Sequence, residues 1–264
     1  MVSQDDIAFV NRLADAAGEA IRPYFRKKIE IIDKALAKGA SLFDPVTQAD
    51  KRAEEAIRAL IGLERPADGV LGEEFGKIEG TSGRIWVIDP IDGTRALITG
   101  NTQWGTLIAL NEGGKPVLGL LDQPVLHERF LGTGDNAEFH SPDGIAKLAT
   151  RACASLSEAV LMTTHPWDYF NTAEQDAFRR LAKASRLTRF GGDCYAYALL
   201  AMGFVDLVVE SSLHPWDIQA VIPIVEGAGG LVTDWQGGDC AQGGRVIAAS
   251  DRRVHAEALK YLVV

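Results

Sequence analysis

Cysteine is scarce in this chain of 264 residues, and Cys153, Cys194 and Cys240 lie far apart. An odd number of thiols with no Cys-x-x-Cys pair suggests neither a disulfide framework nor a zinc site, so reduced cytosolic thiols are expected. Cationic side chains are also short: 27 Lys and Arg stand against 36 Asp and Glu, a net charge of −9. Such a chain has no general attraction for nucleic acid or an anionic membrane, and it repels a phosphorylated molecule at long range. Phosphate chemistry would therefore need cations gathered locally. No apolar run reaches membrane-spanning length. The N-terminus "MVSQDDIAFV" is acidic and then amphipathic, unlike a signal peptide, so a cytoplasmic location is expected. Low-complexity segments and Pro/Ser-rich linkers are missing too. What is present, 47% hydrophobic residues, suffices for one large domain or two small ones with a real core.

Ser3-Gln4-Asp5-Asp6 is a capping box ahead of Ile7, Val10, Leu13, Ala14, Ala17 and Ile21, which predicts a long amphipathic helix ending near Tyr24. "KKIEIIDKALAKGASLFDP" reads as an irregular connector. Thr47 then caps a second helix with Ala53, Ala56, Ile57, Leu60 and Ile61 on its apolar face. The short runs "GVLG", "RIWVID", "GTLIAL", "PVLGLLD" and "ERFLG" predict a largely antiparallel sheet with helices on one face. Beyond it, strands and helices alternate in an α/β arrangement, with "WDIQAVIPIVEGAGG" expected as one helix. The boundary falls near Gly144, giving an α+β half over 1–144 and an α/β half over 145–264 that pack closely. "HPWD" occurs twice, at His165–Asp168 and His214–Asp217, but the flanks differ, so the pair reads as coincidence rather than duplication.

The stretch "IWVIDPIDGT", Ile85–Thr94, runs from an apolar strand into two aspartates. Pro90 biases Asp89 toward an extended conformation, so the chain is expected to turn directly after the strand. Asp89 and Asp92 can then share one space with the Ile91 carbonyl, a set of hard oxygens of the kind Mg²⁺ takes. Gly93 lets backbone approach a ligand closely, and Gly93 and Thr94 would open a short helix suited to an anion. D-P-x-D-G is equally good turn chemistry, and this hexapeptide alone supports turn and site alike. Glu73 and Glu74, in "LGEEF", sit at another strand end. Asp217 begins an apolar helix, where the macrodipole favours any acid. Asp50 closes a capping box of its own, Thr47-Gln48-Ala49-Asp50.

"GEE", "WVIDPIDGT", "HPWD" and "EGAGG", in that order and across nearly the whole chain, resemble the inositol monophosphatase superfamily of Mg²⁺-dependent, lithium-sensitive phosphomonoesterases. The resemblance implies a layered αβαβα sandwich, assembled as a homodimer. It implies Glu73, Asp89, the Ile91 carbonyl, Asp92 and Asp217 as metal ligands, Asp50 at an additional weaker metal, and Glu74 as a less critical acid. Two or three Mg²⁺ ions would neutralise the phosphate and activate a water, with Glu73 and Thr94 orienting and deprotonating it and no covalent phosphoenzyme. The substrate would be a small-molecule phosphate monoester.

Within the superfamily, "DQPVLHERFLGT" and "FGGDCYAYALLAMGFVDLVVE" are most similar to the histidinol-phosphate phosphatase branch. That implies L-histidinol phosphate as substrate, with Gly93 and Thr94 at the phosphate and Asp193 and Glu210 toward the alcohol. As residue chemistry alone, Asp193 is equally an N-cap for a helix beginning at Cys194. Arg95 is given no catalytic role, and Asp168 is expected to be an ordinary surface or loop residue. The alternatives are a broad-specificity inositol or sugar phosphatase and, in another class, a regulatory protein bound to the transcription machinery.

Overall fold

In the computed structural model, which describes residues 2–28, 30–33 and 45–264, the chain opens with helix α1, Gln4–Ile21. The Ser3 hydroxyl accepts from the Asp6 N–H and the Asp6 carboxylate accepts from the Ser3 N–H. Donors that a helix start would strand are thereby satisfied. The α-helix stops before Tyr24 and gives way to a tighter turn over Arg22–Tyr24, because Pro23 brings no N–H to extend it. Strands β1 (Ile31–Asp33) and β2 (Pro45–Thr47) pair antiparallel, so the expected connector is framed by a short ribbon. Residues 29 and 34–44 of that connector lie outside the described residues. Helix α2, Gln48–Glu64, follows with the expected Thr47–Asp50 capping box.

Next come β3 (Gly69–Gly72), β4 (Gly76–Ile78), β5 (Arg84–Asp92), the short helix α3 (Thr94–Ile98), β6 (Gly105–Glu112), β7 (Lys115–Gln123), β8 (Glu128–Gly132), β9 (Ala137–Ser141) and β10 (Gly144–Lys147). They form an eight-stranded sheet of order β10-β9-β8-β7-β6-β5-β3-β4. All neighbours run antiparallel except β3 and β5, which are parallel. The chain leaves this sheet after Lys147, so the expected boundary at Gly144 falls on strand β10. That strand is exposed at every residue and carries no apolar alternation to announce it.

The remainder holds β11 (Val160–Thr163), α4 (Pro166–Tyr169), α5 (Thr172–Ala184), β12 (Leu187–Phe190), α6 (Asp193–Ala201), β13 (Leu207–Leu213), α7 (Pro215–Ile218), α8 (Val221–Gly227), β14 (Leu231–Asp234), β15 (Gly244–Ala249) and α9 (Arg252–Leu259). The expected single helix over "WDIQAVIPIVEGAGG" is two, α7 and α8. Pro223 has no N–H for the carbonyl of Gln219 four residues back, and the break falls there. The five strands pair in the order β12-β11-β13-β15-β14.

Period-two alternation stacks the layers. On β5, Trp86 and Ile88 pack against Phe9, Leu13, Ala53 and Ile57 of α1 and α2, while Val87 faces the other way. That second face meets Tyr197, Leu200, Val221 and Ile224 of α6 and α8, which in turn touch Val208, Val246 and Ala248 of the second sheet. The far side of the second sheet, Leu161, Leu207, Val209 and Ile247, covers itself with Phe178 and Leu181 of α5 and Val254 and Ala258 of α9. The result is an αβαβα sandwich. Each fully buried large apolar side chain contributes about 1.5–3 kcal/mol.

Candidate active site

Asp89 and Asp92 lie three residues apart on β5, so a regular strand would aim them at opposite faces. The pairing with β6 prevents this. Asp89 sits opposite Leu107 and Asp92 opposite Gly105, so three steps on one strand match two on the other. The extra residue is a β-bulge, and it turns both carboxylates to one side. The strand therefore runs on through Pro90 and Ile91 rather than turning after Asp89 as the sequence suggests. The Thr106 hydroxyl donates to the Pro90 carbonyl at 2.8 Å and fixes the bulge. Gly93 then takes φ +92, and a Cβ there would stand 3.0 Å from Trp104 Cβ and 3.1 Å from Asp193. Both the left-handed backbone and the space demand glycine.

Three other segments converge on the bulge. Helix α7 brings Asp217, whose carboxylate accepts from the His214 N–H at 2.7 Å. The ligand oxygens of Asp89, Asp92 and Asp217 all lie within 4.8 Å of one another. Asp50 of α2 serves two purposes at once. One oxygen accepts from the Thr47 N–H and hydroxyl at 2.8 and 2.6 Å, and the other accepts from the Thr94 hydroxyl at 3.1 Å. The Thr94 hydroxyl also lies 3.1 Å from the Ile91 carbonyl. Glu73 follows β3, its N–H bonded to the Ile88 carbonyl at 3.2 Å. It stands outside the tight triad, close enough for its charge to act on Asp50, Asp89, Asp92 and Asp217.

This much carboxylate in one buried space is self-repelling. Burial first, then Glu73, Asp92 and Asp217, holds Asp89 well above the usual carboxylate range. Burial and the Asp217 charge push Asp92 up to about 8. Asp217 is pushed up to about 7, mainly by burial. Folding gathers these groups at a cost that a divalent cation would remove. The donors are all oxygens, which suits a hard ion of the Mg²⁺ type rather than one that seeks thiolate. The residues therefore fit such an ion, with Asp89, Asp92 and Asp217 nearest to hold it.

A model of the inositol monophosphatase family matches residues 3–263. The chain belongs to the inositol monophosphatase family. It is a phosphoric monoester hydrolase, and the family is metal-dependent, typically on Mg²⁺. The chain is 46% identical, over 96% of its length and 73% of the relative's, to the chloroplastic bifunctional phosphatase IMPL2 of Arabidopsis thaliana. It is 38% identical, over 98% and 97% of the two chains, to the histidinol-phosphatase of Streptomyces coelicolor. Among solved structures, an inositol monophosphatase from Zymomonas mobilis superposes with a TM-score of 0.87 at 43% identity, covering 99% of both chains. No helix among the described residues is long and apolar enough to cross a membrane.

In this inositol monophosphatase family member, Asp193 and Glu210 lie beside the acidic cluster. Asp193 is the first residue of α6, with Gly192 as N-cap and no side-chain capping bond. The capping alternative for Asp193 is thus not what the structure holds. It has φ +44, a conformation that Asp tolerates better than most residues. Burial and Asp92 push it up to about 8, against the opposing charge of Arg95. Glu210 accepts from the Thr164 N–H at 2.7 Å and from the Thr164 and Thr163 hydroxyls at 2.9 and 3.3 Å. Burial lifts it to about 8.

Two features escaped the sequence. Glu54 of α2 is fully buried and accepts from the N–H groups of Glu74 and Phe75 at 2.8 and 3.2 Å, and from Arg58 at 2.7 Å. It holds the turn that carries Glu73, and a Cβ at Gly72 would sit 2.0 Å from its carboxylate. The signal was available: Glu54 lies beside Ala53 and Ile57 on the apolar face of α2 and four residues before Arg58. The second is the pairing of Asp168, expected as an ordinary surface or loop residue and found exposed. Asp168 is paired with Arg95 at 2.7 Å, at the edge of the site.

Proposed function

We propose that this hydrolase acts on L-histidinol phosphate, releasing L-histidinol and inorganic phosphate with Mg²⁺ as cofactor. The observation that carries this reading is the pair of buried carboxylates, Asp193 and Glu210, beside the acidic triad. Histidinol phosphate offers them a primary ammonium and an imidazole that protonates near neutral pH. An inositol phosphate offers neither. The curated names of the Streptomyces coelicolor and Mycobacterium tuberculosis relatives point the same way.

Glu73, Asp89, Asp92, Asp217 and the Ile91 carbonyl would hold Mg²⁺, which when bound neutralises the phosphate dianion and acidifies water. The chain's own groups do the rest. Glu73 and the Thr94 hydroxyl orient the attacking water. Its proton passes through Thr94 to Asp50, whose buried carboxylate is raised and so is a better base than an exposed one. Gly93 and Thr94 face the phosphate. The water oxygen bonds to phosphorus, the ester P–O bond breaks, and the departing alcohol takes a proton from solvent. No side chain is phosphorylated.

A charge-assisted hydrogen bond is worth about 1.5–3 kcal/mol, or about one to two decades in kcat/KM. Asp193→Ala should lower the ratio of kcat/KM for histidinol phosphate to that for inositol 1-phosphate by about that factor. An unchanged ratio would remove Asp193 from substrate recognition. A broad-specificity inositol phosphatase is the second reading, favoured by the likeness to the Zymomonas mobilis structure.

A further inference from the structure

Arg95 is the second residue of α3, directly after Thr94. Its Nη1 donates to Asp168 Oδ2 at 2.7 Å, and its guanidinium carbon lies 5.4 Å from the centre of the Tyr169 ring. One side chain at the start of α3 thus grips helix α4, which belongs to the second sheet's half. Asp168 is also 3.3 Å from His165 Nδ1, so its carboxylate is held from two directions.

Helix α4 is in turn tied to the strands on the alcohol side. The Ser212 hydroxyl donates to the Tyr169 carbonyl at 2.8 Å, and Ser212 holds φ +65 on β13, two residues past Glu210. Thr163 and Thr164, leading from β11 into α4, are the donors to Glu210. Tyr169 is half-buried. Burial pushes its phenol up to about 12, with Asp193, Asp92 and Asp168 near enough to add to the effect and Arg95 near enough to oppose it. Arg95 is already ion-paired and cannot serve as a freely available phosphate ligand. Its place suits a tie between the phosphate side and the leaving-group side.

We propose that Arg95, Asp168 and Tyr169 form a clamp that fixes α4 against the start of α3, so that Tyr169 and Asp193 make one wall of the pocket for the departing alcohol. Arg95 and Asp168 are positioning residues in this arrangement. The clamp rests on the phosphatase reading, and on the alcohol lying toward Asp193, but not on which alcohol it is.

The test is a double-mutant cycle with steady-state kinetics on the Mg²⁺-loaded enzyme. Arg95→Ala and Asp168→Asn should each raise KM for histidinol phosphate by about threefold to tenfold, the scale of a partly exposed ion pair with a cation–π contact. The rise in KM should exceed the fall in kcat. The inhibition constant of inorganic phosphate should move by less than about twofold, since phosphate leaves the alcohol pocket empty. The double variant should be no worse than either single one, because both remove the same tie. Arg95→Lys keeps the charge without the planar fork and should recover part of the loss. Additive losses, or a phosphate constant rising in step with KM, would overturn the clamp. A wild type that prefers inositol 1-phosphate would overturn the histidinol assignment alone, and the same cycle read on that ester would still decide the clamp.

Discussion

Removing divalent metal should make this protein's stability fall as pH rises across a range where most proteins are near their best. Asp92 and Asp217 titrate near 8 and 7 in the fold, while in the unfolded chain both ionise near 4. Between these values the folded protein keeps protons that the unfolded chain has already released. Stability contributed by such a group is present at low pH and declines until the folded pKa is reached. Each extra proton costs about 1.4 kcal/mol per pH unit. Asp92 and Asp217 alone give about 5 kcal/mol between pH 5 and pH 7, and Asp89, Asp193 and Glu210, raised by the same burial, act in the same sense. His255 works in the opposite sense, because burial lowers its pKa and stability rises with pH as the unfolded histidine loses its proton. At this chain length about 1 kcal/mol moves Tm by about 2–4 °C. Metal-free protein should therefore melt about 5–15 °C lower at pH 7 than at pH 5, and Mg²⁺ should restore more at pH 7 than at pH 5. Scanning calorimetry at both pH values, with and without Mg²⁺, reads this directly. Asp92→Asn should flatten the metal-free pH profile and raise Tm at pH 7. If Mg²⁺ stabilises equally at both values and Asp92→Asn changes nothing, the triad is not a strained cation site.

The same substitution should cost activity. Asp89→Asn or Asp92→Asn should lower kcat/KM by about a thousandfold or more with the far-ultraviolet circular dichroism unchanged, and near-normal turnover at saturating Mg²⁺ would dismiss the ligand assignment. Glu54→Gln should lower stability by about 3 kcal/mol in a denaturant titration, because a buried carboxylate bonded to two N–H groups and Arg58 loses its charge. It should also raise the Mg²⁺ concentration needed for half-maximal activity, whereas an unaltered Mg²⁺ dependence would mean that Glu54 does not position Glu73.

The helices and strands could be read because their apolar runs are clear, as in the Val10, Leu13, Ala14 and Ala17 stripe of α1, while the αβαβα layering was legible only through the family resemblance. The acidic triad was legible through the resemblance that "WVIDPIDGT" and "HPWD" carry, while residue chemistry alone left a turn open at Asp89 and Asp92 and a helix-start acid at Asp217. What stayed hidden depends on pairing in space. The bulge that aims Asp89 and Asp92 together is a property of β5 against β6, and no spacing within "DPIDGT" encodes it. Glu54 lies on the apolar face of α2, but its partners at Glu74 and Phe75 are 20 and 21 residues away and meet it only in the fold. Arg95 and Asp168 are 73 residues apart and meet only when the two halves close. The break between α7 and α8 at Gln219–Ala220, ahead of Pro223, was legible in principle, but the apolar run around it masked the missing N–H.

The most direct test of the account is Mg²⁺-dependent phosphate release by the wild-type protein from histidinol phosphate and inositol 1-phosphate, each measured as kcat/KM at neutral pH. The account predicts that histidinol phosphate is preferred by about tenfold or more, the margin that a single buried carboxylate pairing with its cations would supply. Equal values, or a preference for inositol 1-phosphate, would contradict it.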